Sequence, residues 1–95
     1  MSYIRLSIVH PHRTERDRVE RIMRELVEAA TPTVGCSASF LLKPHDESGD
    51  IARIAIYDDE AAADRVANSQ HILSLRSELH LHIDANHTER GFSSM

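Results

Sequence analysis

The sequence predicts an α+β fold, a four-stranded antiparallel sheet with helices on one face. Stretches of period-two polarity at residues 3–10 and 51–57 read as strands. Between them runs a long apolar stripe of helical period, and a second helical region follows at residues 60–80. A chain of 95 residues suits one domain, expected to span the whole chain with its core at about residues 3–88.

In the first strand Ile4, Leu6 and Ile8 point one way while Tyr3, Arg5, Ser7 and Val9 point the other. His10-Pro11-His12 interrupts it, because proline cannot donate to a ladder. Thr14 is the expected cap of the first helix, with Glu15 and Asp17 as acids in its first turn. Val19, Ile22, Met23, Leu26, Val27 and Ala30 then form one stripe, and Thr31-Pro32 ends the helix. Residues 36–43, with Phe40, Leu41 and Leu42, make the second strand, and the polar run 44–50 is its hairpin loop. In the third strand Ile54 and Ile56 face away from Arg53, Ala55 and Tyr57.

Asp58-Asp59 caps an alanine-rich helix at residues 60–67, which Asn68-Ser69 breaks. Ser69 starts a further helix reaching His80, with Ile72, Leu75 and Leu79 on one stripe. Leu81, Ile83 and Ala85 alternate with His82, Asp84 and Asn86, which predicts the fourth strand at 81–86 and leaves 89–95 as a frayed tail.

The order is β-α-β-β-α-β, the ferredoxin-like arrangement. Placing the aliphatic row beneath the helices buries Ile4, Leu6, Ile8, Ile54 and Ile56. Tyr3, Val9 and Tyr57, with Arg5, Ser7 and Arg53, then occupy a bare face that a second copy of the chain would cover.

Composition supports association and excludes other partners. There are four aromatics and no tryptophan, so the core is aliphatic and small, and a domain of this size gains stability by pairing. The net charge is −4, and the arginines between Arg13 and Arg24 alternate with Glu15, Asp17 and Glu20. That is a solvated helix face, not a basic footprint for nucleic acid. Cys36 is the one cysteine, so no internal disulfide forms and a reducing cytoplasm is the expected setting. No run approaches the ~20 apolar residues of a membrane span, and no secretory leader is recognisable.

Three local features resemble the antibiotic biosynthesis monooxygenase group of the dimeric α-β barrels. Val34-Gly35-Cys36 is similar to that group's Pro-Gly-Cys turn. Ile56-Tyr57-Asp58-Asp59-Glu60-Ala61 resembles its aromatic-acid-x-Glu-Ala lead into the second helix. Asn68-Ser69-Gln70-His71-Ile72 resembles its Ser-x-His-hydrophobic helix break. The chain departs from the haem-degrading branch, having no strand-one asparagine, no tryptophan, and Arg76 about where an axial histidine would stand. The resemblance therefore implies cofactor-free oxygenation of a small phenolic, enolic or quinol-type molecule, without haem.

Such chemistry needs an apolar pocket, a base titrating near neutrality and a donor for the substrate anion. Histidine suits the base. His71, after the helix break, and His10, at the end of the first strand, are the candidates. Arg5, Arg53, Phe40 and Tyr57 are the candidate substrate contacts, with the arginines alternatively bridging two copies across the dimer. The pairs His10/His12 and His80/His82 could each chelate an ion, but no third ligand is evident and no metal site is predicted. Cys36 lacks a neighbouring base and reads as a packing residue. The alternatives are an isomerase or lyase on the same scaffold, and a non-enzymatic dimer that binds a small ligand.

Overall fold

The computed structural model describes residues 1–95. Strands β1 (Tyr3–Val9), β2 (Cys36–Leu42), β3 (Ile51–Tyr57) and β4 (Thr88–Ser93) form one antiparallel sheet in the order β2-β3-β1-β4. Helices α1 (Arg16–Ala30), α2 (Glu60–Ala67) and α3 (Gln70–His80) complete the ferredoxin-like β-α-β-β-α-α-β order. None of them is long and apolar enough to cross a membrane.

The stripe of α1 is buried at Val19, Ile22, Met23, Leu26 and Ala30, as its spacing requires. Asp59 caps α2 by accepting a 2.8 Å hydrogen bond from the Ala62 amide. The start of α1 differs from expectation. Thr14 has φ 72, and Glu15 occupies the capping position without a side-chain cap bond. The Glu15 carboxylate instead lies 3.6 Å from Arg18 and 3.5 Å from His82.

The fourth strand is not at 81–86. Within that segment only Ile83 pairs, through a single bridge to Pro11, and Leu81 is exposed. That bridge is held by two backbone bonds, from the His12 amide to the His82 carbonyl at 2.8 Å and from the Asp84 amide to the His10 carbonyl at 2.9 Å, and the pairing goes no further. The ladder instead forms at Thr88–Ser93, where Tyr3↔Ser93 through Ile8↔Thr88 are in register. Its polar sequence suits an edge strand, which has one side in water. The Ser94 amide donates to the Ser2 carbonyl at 2.9 Å, so residues beyond 88 are tied into the sheet and not frayed.

The assignment of faces is also reversed. Tyr3, Arg5, Ser7 and Val9 of β1 share the helix-covered inner face with Ile51, Arg53, Ala55 and Tyr57 of β3. The core beneath the helices joins Val9, Ile51, Ala55 and Tyr57 to the α1 stripe, Ala62 and Ala63 of α2, and Ile72, Leu75 and Leu79 of α3. Ile4, Leu6, Ile8, Ile54 and Ile56 lie on the outer face, only part-buried, beside Phe40 and Phe92. Alternation divides a strand into two sides, but it does not say which side the helices cover. Here the core beneath the helices includes the small residues Ala55 of β3 and Ala62 and Ala63 of α2, which allow helix and sheet to approach closely.

Gly35 locks the turn before β2 onto α2. Its φ is +91, and a Cβ there would stand 2.7 Å from that of Ala62. Its carbonyl accepts from the Asp58 amide at 2.8 Å, which joins this turn to the end of β3.

Candidate functional site

Alternate residues of a strand project to one side, so Arg5 and Ser7 of β1 stand beside Arg53 and Tyr57 of β3. Strand β4 places Glu89 opposite Ser7 on the same side. Above them, α2 supplies Ala63, Val66 and Ala67, and α3 supplies Ile72 and Arg76. The result is a cleft between sheet and helices with an apolar roof and a charged wall. The space enclosed at its floor is about 20 Å³, room for about one water molecule.

Two ion pairs flank this cleft. Arg5 donates to Asp64 of α2 at 2.7 Å, and Arg76 donates to Glu89 at 2.9 Å. On the far side of Arg5, Arg76 and Glu89 lies a wider open groove of about 430 Å³, also walled by Tyr3, Arg90 and Gly91. Arg5, Arg76 and Glu89 therefore line both the small inner space and the large outer one.

Arg53 differs from the other two arginines. It forms no ion pair, and its Nε is buried without a hydrogen-bond partner. Burial lowers the Arg53 pKa; Tyr57 and Glu89 oppose the shift, while Arg76 and Arg5 add to it. A guanidinium stays charged even so. Nearby, burial raises the Tyr57 pKa, so the phenol remains a protonated donor at neutral pH. Cys36 is half-buried with its Sγ 3.6 Å from the Ala38 carbonyl, and burial raises its thiol pKa as well, the opposite of nucleophilic activation.

No protein-family model matches the chain, and no curated protein does either. Solved structures match over its whole length. The chain is similar to Rv0793 from Mycobacterium tuberculosis at TM-score 0.91 and 14% identity, covering 100% of this chain and 96% of that one. It is similar to an antibiotic biosynthesis monooxygenase at TM-score 0.87 and 22% identity, covering 100% and 99%. It is also similar to a variant of SnoaB, a cofactor-independent oxygenase from Streptomyces nogalater, at TM-score 0.85 and 15% identity, covering 98% and 92%. The chain has the fold of the antibiotic biosynthesis monooxygenase structures.

On this monooxygenase fold the residues singled out from the sequence divide into two groups. Arg5, Arg53 and Tyr57 line the cleft together. Because Arg5 and Arg53 face the helices, they do not reach across the outer face to a second copy. His71, His10 and Phe40 lie elsewhere, and no histidine lines the cleft. His71 is exposed on the first turn of α3, over a shallow depression with Glu25, Glu28 and Ala29. His10 pairs with Asp50 at 3.0 Å beyond the end of β1. Phe40 is 53% exposed on the outer face, in register with Ile54.

Four further histidines, His12, His80, His82 and His87, gather where the loops after β1 and α3 meet, while His45 lies in the loop between β2 and β3. His12 lies 3.7 Å from Asp84, and the rings of His80 and His87 are 4.9 Å apart. No three ligand-type side chains converge there as a metal would require.

Ser7, Arg76 and Glu89 join the cleft without having been singled out. Ser7 shares strand parity with Arg5, and Arg76 is one helical turn beyond Ile72, so both carried a legible signal. Glu89 carried none, since its position depends on the pairing of β4 with β1.

Proposed function

We propose that the chain is a homodimeric, cofactor-independent monooxygenase acting on a small phenolic, enolic or quinol-type molecule held in the cleft. The observation that carries this reading is Arg53, a guanidinium largely withdrawn from water, with no carboxylate partner and an apolar roof opposite. Leaving a cation so placed is costly, and it becomes useful when a negative charge develops beside it.

An acidic phenol or enol beside Arg53 loses its proton more readily, because the guanidinium stabilises the anion. The anion passes one electron to O2, and the resulting radical and superoxide combine at carbon into a peroxide anion. This takes up a proton, replacing the one the substrate gave to solvent, to become a hydroperoxide. Loss of water then leaves a carbonyl where a methylene stood. One oxygen atom enters the product, the other leaves as water, and every electron comes from the substrate. Tyr57 and Arg5 orient the substrate oxygens, and Val66 and Ile72 hold its hydrocarbon part.

The outer face supports the dimer. Paired positions Ile4↔Ile56 and Leu6↔Ile54, with Phe40 and Phe92 at either side, leave an aliphatic sheet surface uncovered by this chain. A second sheet packed against it would close a barrel.

Oxygen uptake against a panel of hydroquinones and anthrones tests the reading. Turnover is expected for at least one member, with kcat/KM falling ~100-fold in Arg53→Met, the scale of losing one buried donor to a developing anion. A panel without oxygen uptake overturns the proposal. Turnover that persists without oxygen selects an isomerase or lyase instead.

A further inference from the structure

We infer that the cleft takes a planar organic oxyanion, a carboxylate or an ionised phenol or enol, in exchange for the carboxylate of Glu89. The inference rests on the cleft being the small-molecule site proposed above, but not on any oxygen chemistry.

The charge of the lining comes first. Three arginines (Arg5, Arg53 and Arg76) face one acid, Glu89, in a chain whose net charge is −4. The positive character is thus local to this cleft. Arg5 already has Asp64, and Arg76 has Glu89, which leaves Arg53 with an orphaned Nε–H. A guanidinium presents its donors in a planar fork that fits a carboxylate or a pair of enol oxygens. Nothing in the chain fills that fork.

Glu89 is the residue an incoming anion must replace. It stands on β4, an edge strand, with its side chain 31% exposed, and its pair with Arg76 is a solvent-accessible one. Such pairs contribute little, so giving one up costs little. An anion bridging Arg53 and Arg76 would satisfy two cations, whereas Glu89 reaches hydrogen-bond distance of Arg76 alone.

Space leads to the same residue. The inner cleft of about 20 Å³ is too small for any organic molecule, but Arg5, Arg76 and Glu89 also wall the outer groove of about 430 Å³. Turning Glu89 outward joins the two, and the merged space falls within the ~300–1,000 Å³ usual for small-molecule pockets. Charge exchange and access are therefore one event at one side chain.

The dye 4-nitrophenol tests this directly, since its ionised form alone absorbs strongly in the visible. Near its own pKa, added protein is expected to increase the ionised fraction. Benzoate should compete, and the neutral analogue benzamide should not. Arg53→Met should weaken benzoate binding ~10–100-fold, the scale of a lost charge-assisted hydrogen bond. Glu89→Gln, a surface change that spares the fold, should tighten it ~10-fold by removing the internal competitor. Benzamide competing as well as benzoate, nitrophenol bound in its neutral form, or benzoate affinity unmoved by both substitutions would each overturn the inference. The two readings can fail separately. Anion binding without oxygen uptake removes the oxygenase and leaves the anion site, whereas uptake with no preference for anions does the reverse.

Discussion

On the inner face of the sheet Val9, Ile51, Ala55 and Tyr57 meet three helices, whereas Ile4, Leu6, Ile8, Ile54 and Ile56 on the outer face meet none. The more aliphatic row is the one left bare. The inner face holds the small and the polar residues, including Arg5, Ser7 and Arg53. The difference separates two tasks. The face that the chain covers itself carries the charged cleft, because short helices roof it incompletely. The face without helices carries only surface suited to another sheet.

Adjacent residues of β3 give the widest contrast. Ala55→Glu, at a site 1% exposed under the helices, is expected to cost more than about 4 kcal/mol and abolish cooperative thermal unfolding. Ile54→Glu, on the opposite side of the same strand, should keep native circular dichroism yet sediment as a monomer. A wild-type protein that is already a well-folded monomer at high concentration would remove the role given to the outer face.

Gly35→Ala should come next, at about 2 kcal/mol or more. A side chain there is strained by the positive φ and meets Ala62 at 2.7 Å. Chemical denaturation with an unchanged midpoint would mean the turn can move off α2. Arg53→Met should act in the other direction, raising stability by about 1–2 kcal/mol, because a buried cation without a partner is replaced by an apolar chain of similar length. Stability gained together with ligand affinity lost is the signature of a functional charge.

The pH dependence is smaller and has a definite sign. Burial raises the pKa of both Tyr57 and Cys36, so the folded state favours their neutral forms. The stability they contribute is complete below their unfolded values and disappears as pH rises through the folded ones, beginning near the usual cysteine and tyrosine range of about 8.5–10. Melting temperature should therefore fall on the alkaline side, less steeply in Tyr57→Phe. The smallest effect belongs to the rim. Asp64→Ala removes the solvent-accessible pair with Arg5 and should change stability by less than about 1 kcal/mol.

Local patterns placed most of the secondary structure. The i, i+3, i+4 spacing of the α1 stripe, the Asp59 cap and the Asn68-Ser69 break each act within one or two turns of chain, so they can be read residue by residue. Alternation likewise placed Arg5 with Ser7 and Arg53 with Tyr57 on common sides of their strands. Periodicity misled at 81–86, where the alternating residues spend their backbone groups on the loop at His10 and His12.

What local pattern could not supply was the relation between elements distant in sequence. Whether helices cover the row containing Ile54 or the row containing Arg53 depends on how α1 and α2 cross the sheet, and both rows satisfy the same period of two. The same holds for Glu89, which enters the cleft only because β4 pairs with β1 across more than eighty residues of chain. Strand and helix are short-range consequences of side-chain order. The cleft is a long-range one, formed where three arginines from β1, β3 and α3 meet a glutamate from an edge strand with almost no hydrophobic signature.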